Sequence, residues 1–219
     1  MKNTEQNKIE KILLRYFNKM YNHFGPLNWW PGDSPFEVMV GAVLTQNTSW
    51  SNVEKAISNL KQKGYLDPYK ILDLSLKELA EIVKPSGFFN VKAKRLKSLI
   101  YFFVEEYDAD IRKMLKDDLF SLRKKLLSVN GIGKETADSI LLYALNKPIL
   151  VIDAYTKRIF SRHGIISEEM DYDDLQSFFM RHLPQDVSLY NEYHAQIVLT
   201  GKTYCRKKPL CEKCPLKDE

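Results

Sequence analysis

Residues 127–159 read LSVNGIGKETADSILLYALNKPILVIDAYTKRI, and the reading of the whole chain turns on this stretch. Asn130-Gly131-Ile132-Gly133 lies between two segments with apolar residues at helical spacing. Phe120 to Val129 precedes it, and Ala137, Ile140, Leu141, Ala144 and Leu145 follow on one stripe. Two glycines one residue apart allow a sharp turn, because Gly accepts positive φ without a Cβ clash. Their backbone can approach an anion closely, at the start of a helix whose dipole and N–H groups favour phosphate. The pattern predicts a helix-hairpin-helix, a grip on the DNA backbone that ignores base sequence. For Gly-x-Gly alone, a plain helical hairpin packed tightly on its glycines is an equal account.

Twenty residues past Gly133 the chain reaches Asp153, among Val151, Ile152 and other apolar residues. A charge placed so close to a core needs a partner. Asp is also a favoured N-cap, here for a helix starting near Ala154. The two roles are compatible, since a capping carboxylate is fixed in direction.

GIGKETA followed by VIDAY resembles the helix-hairpin-helix DNA glycosylases, the endonuclease III superfamily. The resemblance implies that Asp153 is the essential acid. It also implies that Asn130, Gly131, Gly133, Lys134 and Thr136 meet the DNA backbone. One departure matters. Members that also cleave the strand carry Gly-x-Gly-(Arg/Lys)-Lys-Thr-Ala, whose last lysine forms a Schiff base; here Glu135 stands there. A carboxylate cannot form an imine with an abasic sugar. Lys134 is one position early, about 100° round a helix, and suits a phosphate contact instead. Glu135 is expected to face the substrate. The enzyme implied is a monofunctional glycosylase without efficient lyase activity.

Composition sets outer bounds. A chain of 219 residues with 44% hydrophobic residues fits one large or two small domains with a substantial core. A net charge of +5 is compatible with a nucleic-acid partner without proving one. No apolar run approaches the roughly 20 residues of a membrane span. The N-terminal segment lacks the marks of a signal peptide, so a cytoplasmic protein with no membrane partner is expected. Nine glycines and few alternating runs argue for an all-α fold.

Residues 5–24 read as an amphipathic helix with Ile9, Ile12, Leu13 and Phe17 on one face, ended by Gly25-Pro26. Trp29 and Trp30 follow in a Pro/Gly-rich loop, either anchoring it to the core or forming an aromatic wall for a flipped base. Ser34-Pro35-Phe36-Glu37 reads as a capping box with Pro at N1. It launches FEVMVGAVLT, which is apolar nearly all round and therefore central. Gln46 follows. It either caps that helix or, as the resemblance implies, fills the gap left in the DNA stack. Trp29, Trp30, LTQNT and then Trp50 resemble the 3-methyladenine DNA glycosylase III branch, where aromatics line a pocket for alkylated purines. Such bases stack well on electron-rich indoles. Further helices are expected at 51–63, before Gly64, and from Gly87-Phe88-Phe89-Asn90 to about Glu106. Lys92, Lys94, Arg95 and Lys97 are either phosphate contacts, with Lys92 foremost, or a solvated face. Helical pieces follow at about 154–163, 171–181 and 186–201, with His194 at a surface or interface.

All three cysteines sit within ten residues, as Cys205-x5-Cys211-x2-Cys214, a clustering that argues for metal rather than disulfide. GKTYC…C..CPL resembles the iron–sulfur loop of endonuclease III, which uses four cysteines around [4Fe–4S]. The fourth would follow after five residues, and the sequence stops short at Glu219. Trimming, a carboxylate or exchangeable ligand, an empty site, or zinc held by three thiolates stay open.

The fold expected is all-α and two-lobed. Residues 35–148 form a barrel-like bundle ending in the hairpin, and 1–34 with 149–219 form a second domain with the cysteine loop. The DNA cleft is expected between them, with Asp153 at its mouth. The partner is double-stranded DNA with a damaged base, an alkylated purine such as 3-methyladenine, bound by a monomer. The alternatives are an endonuclease III-like glycosylase/lyase for oxidised pyrimidines, a mismatch glycosylase, and a non-catalytic damage-binding module.

Overall fold

The computed structural model describes residues 2–219, with side chains from Gln6 onward; Met1, part of the expected 1–34 segment, lies outside them. Among the described residues there are twelve α-helices and no strand. The chain divides into two compact units, Pro31–Lys147 and a second built from both ends, Met1–Trp30 with Pro148–Glu219.

The 31–147 unit is organised around α2 (Pro35–Leu44), whose residues from Glu37 to Leu44 are all buried. A 10-residue apolar helix can only be satisfied by neighbours on every side. They are α3 (Trp50–Gln62), α6 (Phe89–Tyr107), α9 (Lys134–Ser139) and the π-helical stretch Ile140–Ala144. Each fully buried Val, Met or Leu on α2 contributes about 1.5–3 kcal/mol. Ser34 caps α2 by accepting from the Glu37 N–H at 3.2 Å, as the capping pattern predicts. The Glu37 carboxylate departs from that pattern. It accepts from the Asp33 N–H at 3.1 Å and pairs with Lys61 of α3 at 2.7 Å. Smaller helices α4 (Pro68–Asp73), α5 (Leu76–Ile82) and α7 (Ile111–Lys116) close this unit. Ser75 and Glu78 form a full capping box on α5.

The hairpin is α8 (Leu119–Ser128), the bend, then α9. Every residue from Thr136 to Leu145 is buried, so the expected stripe is an all-round core segment. The two helices are clamped by an ion pair that periodicity does not announce. Arg123 donates to Asp138 through Nε at 2.7 Å and Nη2 at 3.1 Å, and Asp138 is 0% exposed.

In the second unit, α1 (Lys2–Phe24), α10 (Ala154–Arg162), α11 (Tyr172–His182) and α12 (Val187–Thr203) pack round an aromatic core. Tyr16 stacks on Phe160 at 5.4 Å, and Phe160 meets Phe179 edge-on at 4.8 Å. The Tyr193 hydroxyl donates to the Leu13 carbonyl at 2.7 Å, tying α12 to α1. α12 lies close on α10 because Gly201 has no side chain: a Cβ there would stand 2.3 Å from Tyr155 Cδ1.

Removing one partner of a buried pair leaves an uncompensated charge. Arg123→Met is therefore expected to lower the free energy of unfolding by about 3–5 kcal/mol in a urea titration. Arg123→Met with Asp138→Leu should recover much of that. A single-variant loss below about 1 kcal/mol would show the clamp to be dispensable.

Candidate functional site

The bend is built from unlike glycines. Gly131 has φ +84°, a left-handed conformation that favours glycine, and the Arg95 stem lies directly against it. A Cβ at Gly131 would stand 2.2 Å from Arg95 Cγ. Gly133, by contrast, is extended at φ −89°, ψ 177° and caps α9, with open space where a Cβ would be. The turn therefore requires Gly131 for its shape, while Gly133 leaves the start of α9 uncovered. Asn130, Lys134 and Glu135 are exposed round it.

Thr136 and Gln46 do not point outward as separate contacts. The Gln46 amide donates to the Gly131 carbonyl at 3.2 Å and to the Thr136 hydroxyl at 2.9 Å, and its oxygen accepts from Arg95 at 2.6 Å. Buried Thr136 thus braces the hairpin instead of presenting itself to phosphate.

Lys92 corrects the sequence reading. It is 1% exposed, and its ammonium donates to the carbonyls of Leu44 at 2.8 Å and Ser86 at 2.5 Å. Burial, with the Arg95 cation nearby, pushes its pKa down to about 8. It terminates α2 and cannot reach a phosphate. Lys97 also turns inward, donating to the Leu72 carbonyl at 2.7 Å, whereas Lys94 is exposed. Trp50 begins α3, half-buried, with its indole N–H donating to Glu54 at 2.8 Å.

The second unit carries Asp153. Val151 and Ile152 are buried before it, and Asp153 caps α10. Its Oδ1 accepts from the Thr156 N–H at 2.7 Å and the Thr156 hydroxyl at 2.9 Å. Its Oδ2 stands 3.6 Å from His194 Nε2 on α12, and the carboxylate side chain is 9% exposed. Burial alone would push the Asp153 pKa up. The His194 interaction and the two Thr156 bonds outweigh it and hold the carboxyl below its ordinary value. This is a carboxylate with a fixed direction and a retained charge. His194, expected at a surface or interface, is 5% exposed where α12 packs against α10. The helical stripe Tyr190, His194, Ile197, Gly201, all buried, was the signal for it.

Trp29 and Trp30 share this unit and meet edge to face, ring centroids 5.9 Å apart. Both are half-buried, and Lys202 lies 6.0 Å from the Trp29 ring. Trp50, the third tryptophan, belongs to the 31–147 unit.

Cys205, Cys211 and Cys214 line one pocket of about 310 Å³, together with Arg162, His163 and Glu219. The Arg162 guanidinium reaches Cys205 Sγ at 3.3 Å, and burial raises the Cys214 thiol. Three thiols lining one pocket are candidate ligands of a cluster. The carboxylate that also lines it, Glu219, is already held by Arg15 at 2.5 Å and Lys19 at 2.7 Å. Among the described residues, no three His, Cys, Asp or Glu side chains are gathered tightly enough for a single metal ion. No helix among them is long and apolar enough to cross a membrane.

Residues 40–185 match the family model of the HhH-GPD superfamily base excision DNA repair proteins. A Methanocaldococcus jannaschii protein described provisionally as a DNA repair glycosylase is 50% identical over 216 residues, covering 98% of this chain and 97% of its own. Endonuclease III of Thermotoga maritima is 29% identical over 185 residues, covering 84% and 81%. The H. pylori 3-methyladenine DNA glycosylase (MagIII), solved bound to 1,N6-ethenoadenine, superposes with a TM-score of 0.74 at 34% identity, covering 90% of this chain and 97% of that one.

The Asp153 environment makes a pH prediction. Its folded pKa is depressed, so the stability it contributes is present above the unfolded value of about 3.9 and is lost as pH falls through the lower folded value. In protein with ¹³C-labelled Asp carboxyls, the resonance missing from Asp153→Asn should titrate below the ordinary range. In His194→Phe it should titrate at higher pH. An unmoved resonance would mean that Thr156 alone holds the charge.

Proposed function

This chain belongs to the HhH-GPD superfamily of base excision DNA repair proteins, and on that premise we propose that it is a monofunctional DNA N-glycosylase for alkylated purines. The observation that carries the proposal is the Asp153 carboxylate, fixed by Thr156 and kept ionised while nearly out of water. In this reading the Gly131–Gly133 bend, with Asn130 and Lys134, takes the DNA backbone. The target base leaves the stack at a cost of a few kcal/mol, which damage lessens. Trp29, Trp30 or Trp50 offers it an aromatic face.

The N-glycosyl bond then breaks, its electron pair leaving with the base, and positive charge develops at C1′. Asp153 stabilises that charge, or accepts a proton from the water whose oxygen bonds to C1′. An alkylated purine needs little acid assistance, because alkylation has already weakened the bond. The 34% identity to MagIII supports this substrate class. Glu135 supports the absence of a lyase step, since it offers no amine to the abasic sugar.

Cys205, Cys211 and Cys214 would supply three ligands to a [4Fe–4S] cluster. Its part would be structural, shaping the loop that carries Lys207, Lys208 and Lys213, and no step of the excision passes through it. The working form proposed is a monomer on double-stranded DNA.

The test is a panel of duplexes, each with one lesion: 1,N6-ethenoadenine, 3-methyladenine, thymine glycol, or thymine opposite guanine. Free base is assayed with and without alkali. Release from an alkylated purine, with strand breaks only after alkali, is expected. Asp153→Asn should bind the same duplex while excision falls about 10²–10⁴-fold, the scale of a general base. Full excision by that variant would refute its role. An adduct trapped by borohydride would refute the monofunctional reading and favour the endonuclease III-like alternative. Tight binding with no base released from any duplex would leave a damage-binding module.

A further inference from the structure

The run Lys92-Ala93-Lys94-Arg95 reads in sequence as a basic patch. Its arginine does something more specific. Arg95, half-buried on α6, lays its aliphatic stem against Gly131 and donates from Nη1 to the Gln46 side-chain oxygen at 2.6 Å. Gln46, just past the C-cap of α2, donates onward to the Gly131 carbonyl and the Thr136 hydroxyl. Three segments far apart in sequence therefore meet at one amide: the end of α2, the middle of α6 and the bend itself.

The amide is nearly saturated, with both N–H groups donated and its oxygen taken by a cation. A bond from a guanidinium is roughly twice as strong as a neutral one and fixes direction as well as distance. Arg95 also occupies the volume a side chain at residue 131 would need, so it supports the left-handed turn from below.

We propose that Arg95 is a positioning residue of the DNA grip: it acts through Gln46 and the bend, holding them as one body, and does not itself touch phosphate. The proposal rests on the reading of 130–133 as the DNA-binding bend. It makes Gln46 a strut joining the α2 core to the backbone grip, so any displacement of its side chain on binding would have to break three bonds made here.

The test uses full-length protein and a duplex with one tetrahydrofuran abasic analogue, titrated at several salt concentrations. Arg95→Met keeps the stem under Gly131 and removes the donor. Arg95→Met and Gln46→Ala should each weaken binding about tenfold, and the double variant no more than the worse single one, because contacting residues couple. The slope of log K against log salt should equal that of the wild type. If Arg95 met phosphate directly, the slope would shrink by about 0.9 and the losses would add, overturning the proposal. A second arm needs no DNA. The Gln46 side-chain amide ¹⁵N–¹H signals should shift and exchange faster in Arg95→Met than in wild type, and unchanged signals would also overturn it. Failure of the wild type to bind any duplex would sink the DNA reading, and the amide signals would still decide the strut.

Discussion

A carboxylate that keeps its charge with almost no water around it is the constraint on which the proposed chemistry depends. Desolvation pushes Asp153 toward its neutral form, and only compensating partners prevent that. The fold supplies them from two directions. Thr156 comes from the first turn of the helix that Asp153 itself caps, so local geometry sets that bond. His194 comes from α12, so its contribution depends on the packing of α10 against α12. Gly201 keeps that packing close. A glycine packed on Tyr155 thereby serves a carboxylate two residues before that tyrosine in the chain.

The 31–147 unit solves a different problem, that of holding a short backbone bend still. Gly131 is left-handed and the helix after it is six residues long before its hydrogen bonding shifts to the π pattern. Neither element is rigid alone. Rigidity comes from tertiary fixings: the Arg123–Asp138 clamp between α8 and α9, the buried run from Thr136 to Leu145, and the Arg95–Gln46 bond beneath the turn. The first and last of these place an arginine against a partner it can engage directionally, where a lysine would offer only a point charge.

Much of this was legible in the residues themselves. The apolar run Val38 to Leu44 announces a central helix, Ser34-Pro35 announces its start, and Gly-Ile-Gly announces the turn. Asp before an amphipathic segment announces a cap. A polar residue inside a buried stripe is harder to place from sequence. Lys92 lies on the stripe Lys92, Leu96, Leu99, Phe103, all buried, and that spacing argues for an interior ammonium where its basic neighbours suggested a charged face. His194 follows the same logic. Arg95 and Arg123 left no comparable mark. Their partners are 49 and 15 residues away, and nothing in local spacing identifies which carboxylate or amide an arginine will find.

Lys92 also bears on the reaction. Imine chemistry wants an amine that is neutral near physiological pH, and a buried lysine with a pKa of about 8 meets that requirement better than an exposed one. Yet Lys92 spends its protons on two backbone carbonyls, is 1% exposed, and holds the end of α2 in place. Freeing it would expose two carbonyls and unseat the core helix. Lys134 is accessible, but it is the first residue of α9, about 100° from the position that Glu135 occupies. Around the bend, the amine with the suitable pKa is therefore out of reach, and the accessible one stands a quarter-turn or so round the helix from residue 135. Under the monofunctional reading proposed above, what matters is where the two ammonium groups are held, independently of which base is excised.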